Sequence, residues 1–146
     1  MNDHKAWVAH VQASRQDMNA LAATLEGYGA SVAPVATRQV NSLPYVAMFE
    51  FPDRAITRVF FNLKDEQAKS DIVITNLTTL PESARGNGFA SQAIQLVLAW
   101  AKEQRLNEVR ATQVGNEDAR GFWTKNGFIR CPDPNPCGDY VYVTKN

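Results

Sequence analysis

Two segments of this chain carry apolar residues at the three- and four-residue spacing of one helix face. The first begins near Ser14, whose hydroxyl can cap a helix, and ends at Gly27 and Gly29. The second runs from about residue 88 to residue 105 and confines its polar side chains to one narrow stripe. So wide an apolar face is typical of a helix that is buried against a sheet.

A third, shorter helix is predicted after Asn116, a residue type that favours the N-cap position. Glu117 and Asp118 follow in its first turn, where negative charge suits the helix dipole. Asn126 and Gly127 provide a left-handed end for this helix.

Between these segments, β-branched and aromatic residues cluster in short runs that are bounded by turn residues. Residues 3–12 and 31–42 show neither pattern clearly, and the polar run 64–70 is predicted to be a turn. One run should contain an irregularity near Asn76, where the alternation of apolar residues shifts. The predicted strands cover residues 45–51, 56–63, 71–80, 109–114, 128–131 and 139–144.

The order of these elements predicts a single α/β or α+β domain over residues 1–146, with two strand–helix units in the second half. The length of 146 residues suits one domain, and 45% hydrophobic with 21% charged residues is close to the globular average. Fifteen basic residues balance fifteen acidic ones, so no nucleic-acid partner is indicated.

The N-terminal residues lack the layout of a secretory signal, and the longest apolar stretch, 93–101, is too short to span a bilayer. We therefore expect a soluble, cytoplasmic protein with no membrane partner. Cys131 and Cys137 flank a proline-rich loop, far in sequence from His4 and His10. No metal site is predicted, and free thiols are favoured over a disulfide in the cytosol.

The turn that joins the strand ending at Leu80 to the long helix has the composition of a phosphate-binding loop. Gly86 and Gly88 allow a sharp bend that exposes backbone N–H groups, and the helix N-terminus adds the positive end of a dipole. Arg85 adds a fixed positive charge that can contact phosphate in a bidentate manner. These features together predict a pyrophosphate cradle.

Other glycine-rich loops fit this turn less well. A Walker A loop requires lysine and a hydroxyl residue after its last glycine, whereas Phe89 and Ala90 follow Gly88. A Rossmann turn requires three spaced glycines and an acidic residue at the end of the next strand, and neither is present. A glycine-rich turn with a purely structural role remains the alternative.

Two segments resemble the GCN5-related N-acetyltransferase (GNAT) family. Residues 85–90, RGNGFA, resemble the family's R/Q-x-x-G-x-G/A signature. Residues 116–128, NEDARGFWTKNGF, are similar to its later segment, in which an asparagine and an alanine precede an aromatic pair and a final Gly-Phe. The resemblance covers residues 71–145. It implies a mixed, mostly antiparallel sheet with splayed middle strands and flanking helices.

The resemblance implies that acetyl-CoA is the cofactor. The strand around Leu80 would pair with the pantetheine arm, and Phe122 would line the channel. Asn116 would hydrogen-bond the arm or act only as a helix cap. The pyrophosphate would be held by the backbone N–H groups of Arg85, Gly86, Asn87, Gly88, Phe89 and Ala90.

The chain departs from the family at Trp123, where many members have a tyrosine that protonates the leaving thiolate. An indole N–H can donate a hydrogen bond to sulfur, but it does not serve as a general acid, so Trp123 can equally be a packing residue. Glu50 and Glu82 are candidate general bases, and Tyr140 and Tyr142 are candidate substitute acids; each can also be an ordinary structural residue.

The resemblance thus implies an N-acetyltransferase that transfers acetyl from acetyl-CoA to a primary amine of a small molecule or protein. Transfer would occur by direct attack in a ternary complex, and family members often form homodimers through sheet edges. The alternative is a catalytically silent acyl-CoA-binding or protein-interaction module with the same fold, which Trp123 favours.

Overall fold

The computed structural model describes residues 19–35, 43–63, 72–112, 114–131 and 138–144. In this part of the chain, seven strands form one sheet in the order β1-β2-β3-β4-β5-β7-β6. The strands are β1 (Ala30–Pro34), β2 (Leu43–Phe51), β3 (Ala55–Leu63), β4 (Ile72–Leu80), β5 (Glu108–Ala111), β6 (Ile129–Arg130) and β7 (Tyr140–Val143). Two α-helices, α1 (Phe89–Glu103) and α2 (Glu117–Lys125), follow β4 and β5.

Every neighbouring pair of strands is antiparallel except β4 and β5, which run parallel. A parallel pair needs a long crossover, and α1 supplies it. The predicted mixed, mostly antiparallel sheet is confirmed. No helix among the described residues is long and apolar enough to cross a membrane.

The middle of the sheet splays because β4 continues beyond its partner. The parallel pairing covers only Ile72 to Ile74 of β4, and the Thr112 N–H donates to the Ile74 carbonyl at 3.1 Å as the chain leaves β5. On the other side of β4, the register against β3 shifts at Thr75, because Phe60 pairs with Asn76 while Phe61 pairs with Ile74. This bulge lies next to the predicted irregularity.

The core lies between the sheet and α1. Alternate residues of β3 are buried from Ala55 to Leu63, so one face of that strand packs inward. Trp100 of α1 is fully buried, contacts Phe61, and donates its indole N–H to Thr24 Oγ1 at 2.8 Å. Thr24 begins a 3-10 turn, Thr24–Tyr28, that continues a helical segment at residues 19–23.

Most predicted elements are present, with shifted ends. The first helix ends at Gly29, which adopts the left-handed conformation (φ 97°), while Gly27 lies inside the 3-10 turn. β5 ends at Ala111 instead of residue 114, because the chain turns away from β4 there. β1 was not predicted, since its small residues and Pro34 give a weak strand signal. Ser14, Cys137 and residues 3–12 and 64–70 lie outside the described residues.

Candidate functional site

A cleft of about 1050 Å³ occupies the gap between β4 and the segment that follows β5. One wall is β4 from Ile74 to Thr79, and beyond Ile74 the strand has no β5 residue beside it. The opposite wall comes from α2 and the residues before it, and the glycine loop closes one end. The two sequence segments identified above therefore meet on one cavity, although they are separated by α1 and β5.

The glycine loop presents backbone to the cleft. Gly86 and Gly88 both have positive φ, 90° and 81°, a conformation that only glycine adopts without strain. A Cβ placed on either residue would meet no atom within 4 Å, so both positions face open space. Gly88 caps α1, and its carbonyl accepts from Gln92 N–H at 3.0 Å. The N–H groups of the first helical turn come before Gln92 in sequence and have no carbonyl acceptor within the helix, so they are available to an anion.

Side chains brace this loop against β4. Arg85 donates its Nε–H to the Thr79 carbonyl at 3.1 Å, and its Nη1 lies 3.8 Å from Glu82 Oε1. Asn87 donates from Nδ2 to the Ala84 carbonyl at 2.8 Å. The Arg85 side chain remains about half exposed (52%), so its guanidinium can still contact a bound phosphate.

An aromatic contact supports the far side of the loop. Phe89, the first residue of α1, stacks on Phe51 at the end of β2, with ring centroids 4.6 Å apart and planes within 10°. Phe89 and Ala90 both line the cleft. Leu80 and Asn87, which were also predicted to bind the cofactor, are not among the residues that line it.

The opposite wall is held by the cap of α2 and by an aromatic cluster. Asn116 accepts the Ala119 N–H on its side-chain oxygen at 2.8 Å, which confirms the predicted N-cap. Trp123 is 6% exposed and packs edge-on against Phe128 and Phe122, at 4.8 and 5.0 Å between centroids. Asn116, Phe122 and Trp123 all line the cleft, so Trp123 combines a packing role with a position on the cavity.

A buried asparagine joins the two walls, and from sequence it was considered only as part of the end of the third helix. Asn126 is 6% exposed, and its side-chain oxygen accepts from Gln95 Nε2 at 3.0 Å. Its Nδ2 donates to Ser91 Oγ at 3.2 Å and to the Phe122 carbonyl at 2.9 Å. The available signal was the polar stripe of the long helix, since Ser91 and Gln95 are four residues apart on one face.

The structure does not bring the candidate proton-transfer residues to the cleft. Glu50 is exposed on β2, two strands from the gap, and Glu82 is exposed beside Arg85. Tyr140 is buried on β7 beside a separate, smaller cavity. Among the described residues that line the cleft, Asp118 carries the one carboxylate, and sequence reasoning considered it only as a helix-dipole partner.

Comparison with known proteins agrees with this geometry. The family model described as the acetyltransferase (GNAT) family matches residues 41–128, which is more than half of the chain. The chain belongs to the GNAT family. No curated protein sequence matches it.

Solved structures share the GNAT fold with this chain. Nourseothricin acetyltransferase is similar over 72% of this chain and 66% of its own, with a TM-score of 0.53 and 15% identity. A GNAT-family acetyltransferase from Listeria monocytogenes is similar over 67% of this chain and 62% of its own, with a TM-score of 0.52 and 17% identity. The chain thus spans slightly less than two thirds of these proteins, and at such low identity the likeness shows the fold alone.

The cofactor that follows from GNAT membership is acetyl-CoA, and the residues present fit it. The glycine loop offers N–H groups and open space for a pyrophosphate. The unpaired part of β4 offers a strand edge to an extended arm. A volume of about 1050 Å³ is also at the large end of small-molecule sites, which reach about 1,000 Å³. Among the described residues, no cluster of metal-ligating side chains is found.

Proposed function

We propose that this chain is an acetyl-CoA-dependent N-acetyltransferase acting on a primary amine of a small molecule or protein. The observation that carries the proposal is the convergence of the glycine loop, the unpaired part of β4 and α2 on one cleft. Membership of the GNAT family supports acyl transfer as the reaction. One domain over residues 1–146, a cytoplasmic location and a homodimer stay predictions of the sequence.

Each part of the cleft has a separate task in this proposal. The loop from Arg85 to Ala90 binds the pyrophosphate, and β4 beyond Ile74 orients the arm by backbone hydrogen bonds. Bound there, acetyl-CoA would supply an activated thioester, whose C–S bond breaks as the C–N bond to the amine forms, with one proton lost by nitrogen and one gained by sulfur. Phe122 and Trp123 provide an aromatic surface on the opposite wall of the cleft.

In this proposal the reaction is accelerated mainly because the amine is held beside the thioester carbonyl. Holding an amine beside an activated carbonyl can contribute about 7–11 kcal/mol toward lowering the barrier. A thiolate is a fair leaving group, so the replacement of the family tyrosine by Trp123 is compatible with turnover. The amine attacks the thioester directly, within a ternary complex. Glu50, Glu82 and Tyr140 do not line the cleft, so their proton-transfer roles stay predictions.

A second candidate function is a silent acyl-CoA-binding or protein-interaction module. The observation that favours it is Trp123, which is buried in an aromatic cluster where many family members have an ionisable tyrosine. The two functions share cofactor binding and differ in turnover.

Calorimetric titration of the purified chain with acetyl-CoA, CoA and NADH tests the proposal. We expect micromolar binding of acetyl-CoA and CoA and none of NADH, because the loop lacks the third glycine and the acidic residue of a dinucleotide site. Absence of acetyl-CoA binding would contradict the acetyltransferase and the acyl-CoA-binding module, and would leave a protein-interaction module. Binding without transfer to any amine in a broad panel would leave only the silent module.

Replacement of Trp123 by tyrosine separates packing from proton donation. We expect the affinity for acetyl-CoA to stay within a few-fold, because a phenol ring retains most of the contact with Phe122 and Phe128. The measurement is calorimetry together with the rate of acetyl transfer, and Trp123→Phe is the matched control without a hydroxyl. A faster rate for tyrosine but not for phenylalanine would identify the hydroxyl as the missing acid.

A further inference from the structure

A second cavity, of about 350 Å³, lies beside the cleft and carries two arginines. Its lining consists of Val114, Arg120, Arg130, Gly138 and Tyr140. Arg120 lies on α2, and Arg130 is paired in register with Tyr140 across β6 and β7. Paired residues point to the same face of a sheet, so the Arg130 side chain and the Tyr140 ring lie side by side.

Two carboxylates in this region of the sheet are held by another arginine. Asp139 directly precedes Tyr140, but its Oδ2 lies 3.0 Å from Arg110 Nη1. Glu108 Oε1 lies 3.5 Å from Arg110 Nη2. Burial disfavours the charge on Arg110, but hydrogen bonds to Asp139 and Cys131 and the nearby Glu108 more than offset it. The pKa of this guanidinium therefore lies above its usual value, and Arg110 retains both carboxylates.

Among the described residues, Arg120 and Arg130 have no such partner. Within the part of the chain that the structure describes, neither side chain forms a salt bridge. Two cations that face one small cavity repel each other, and a shared anion removes that repulsion. Tyr140 is only 9% exposed, and its hydroxyl is a further hydrogen-bond donor for an anion.

This cavity adjoins the cleft in which the acceptor amine would react. Val114 lines both the cleft and the cavity, so the two share a wall at this residue, near the gap between β4 and β5. Val114 also donates its N–H to the Gly138 carbonyl at 3.1 Å, which keeps the cavity wall attached to the end of the gap. A small molecule could therefore place an anion between the arginines and an amine at the gap.

We propose that the acceptor carries a carboxylate or phosphate, which binds between Arg120 and Arg130 while its amine reaches the cleft. This inference rests on the proposed N-acetyltransferase function. It makes the substrate an anionic amine, whereas an acceptor that is only cationic, such as a polyamine, would be repelled. Carboxylate and phosphate each present two oxygens that can accept two parallel hydrogen bonds from one guanidinium.

Titration of the ¹⁵N-labelled chain with inorganic phosphate, and separately with acetate, tests the anion site directly. CoA is kept saturating so that the pyrophosphate cradle is filled. We expect saturable shifts of the Gly138 amide and of the Arg120 and Arg130 Nε–H signals. Each single variant, Arg120→Gln or Arg130→Gln, should weaken the response about tenfold or more, since hydrogen bonds to charged groups contribute about 1.5–3 kcal/mol.

Arg105→Gln is the matched control, because Arg105 is exposed at the end of α1 and lines neither cavity. It removes the same charge and should leave the titration unchanged. No saturable shift at Gly138, or a shift that all three variants retain, would overturn the proposal. A stronger response to phosphate than to acetate would identify a phosphorylated amine, and the reverse would identify a carboxylate.

The rate of acetyl transfer provides an independent test, in which each pair of amines differs only in the anionic group. Amino acids are compared with their amides, and phosphoethanolamine with ethanolamine. We expect the anionic member to have the higher kcat/KM, with the advantage lost in Arg120→Gln. Preference for the neutral member would contradict the proposal. Failure of the N-acetyltransferase function itself is distinguishable, because it shows as missing CoA shifts at Gly86 and Gly88, or as no transfer to any amine of either kind. Failure of the anion site alone leaves CoA binding and transfer intact and removes only the response at Gly138 and the preference for the anionic amine.

Discussion

Replacement of Gly88 by glutamate is expected to raise the dissociation constant for acetyl-CoA by about 100-fold or more, equivalent to about 2.8 kcal/mol. Gly88 lines the cleft, caps α1, and has no atom within 4 Å of the position that a Cβ would occupy. A glutamate would therefore extend into the space assigned to the pyrophosphate. Its carboxylate would take up the first-turn N–H groups and repel phosphate.

Backbone strain and charge can be separated by two control variants. Gly88→Ala forces the same positive φ of 81° on an L residue, at a cost of about 1–2 kcal/mol, but adds no charge. Gly121→Glu adds the same charge at an exposed position of α2 with open space around it. We expect a smaller loss of affinity for alanine and none for Gly121→Glu, by calorimetry, with circular dichroism to confirm folding. Wild-type affinity in Gly88→Glu would contradict the cradle.

Asn126→Ala is expected to lower the free energy of unfolding by about 2–3 kcal/mol, because it removes three hydrogen bonds of a buried side chain. Gln95 Nε2, Ser91 Oγ and the Phe122 carbonyl each hydrogen-bond the Asn126 side chain, which is 6% exposed. The same change removes the polar link between α1 and α2. Acetyl-CoA affinity should therefore fall as well, although Asn126 is not among the residues that line the cleft.

Urea denaturation measures this loss, and Gln92→Ala is the matched control. Gln92 is exposed on α1, next in sequence to Ser91, and should change the stability by no more than about 0.5 kcal/mol. A double-mutant cycle with Gln95→Ala should give a coupling of about 0.5–3 kcal/mol, as expected for residues in one hydrogen-bond network. A stability of Asn126→Ala equal to that of Gln92→Ala would show that the network contributes nothing measurable.

Elements with strong local signals could be predicted from sequence. The predicted strand at 56–63 is β3 (Ala55–Leu63), because its alternating residues match a strand with one buried face. The long helix and the Asn116 cap were likewise predictable, since helical period and capping depend on residues within one or two turns. β1 was not, because an edge strand of small residues is defined by its pairing with β2 and not by its own side chains.

The candidate site, like the fold, was predictable from sequence only in part. The composition of residues 85–90 was sufficient to predict a phosphate-binding loop, because positive-φ glycines before a helix are a local feature. The chain could not show by itself that Glu50 lies two strands from the gap or that Tyr140 faces a separate cavity. Those placements depend on strand order.

Sequence alone determined most of the elements, the glycine loop and the family resemblance, since each is encoded by residues that are close along the chain. Only the tertiary structure decided which distant residues meet. The cleft requires β5 to end while β4 continues, and the Asn126 network joins residues 31 and 35 positions apart. The smaller cavity likewise brings Arg120 of α2 together with Arg130 of β6. Such contacts follow from the order and register of strands in one shared core, a property of the whole chain that no local pattern contains.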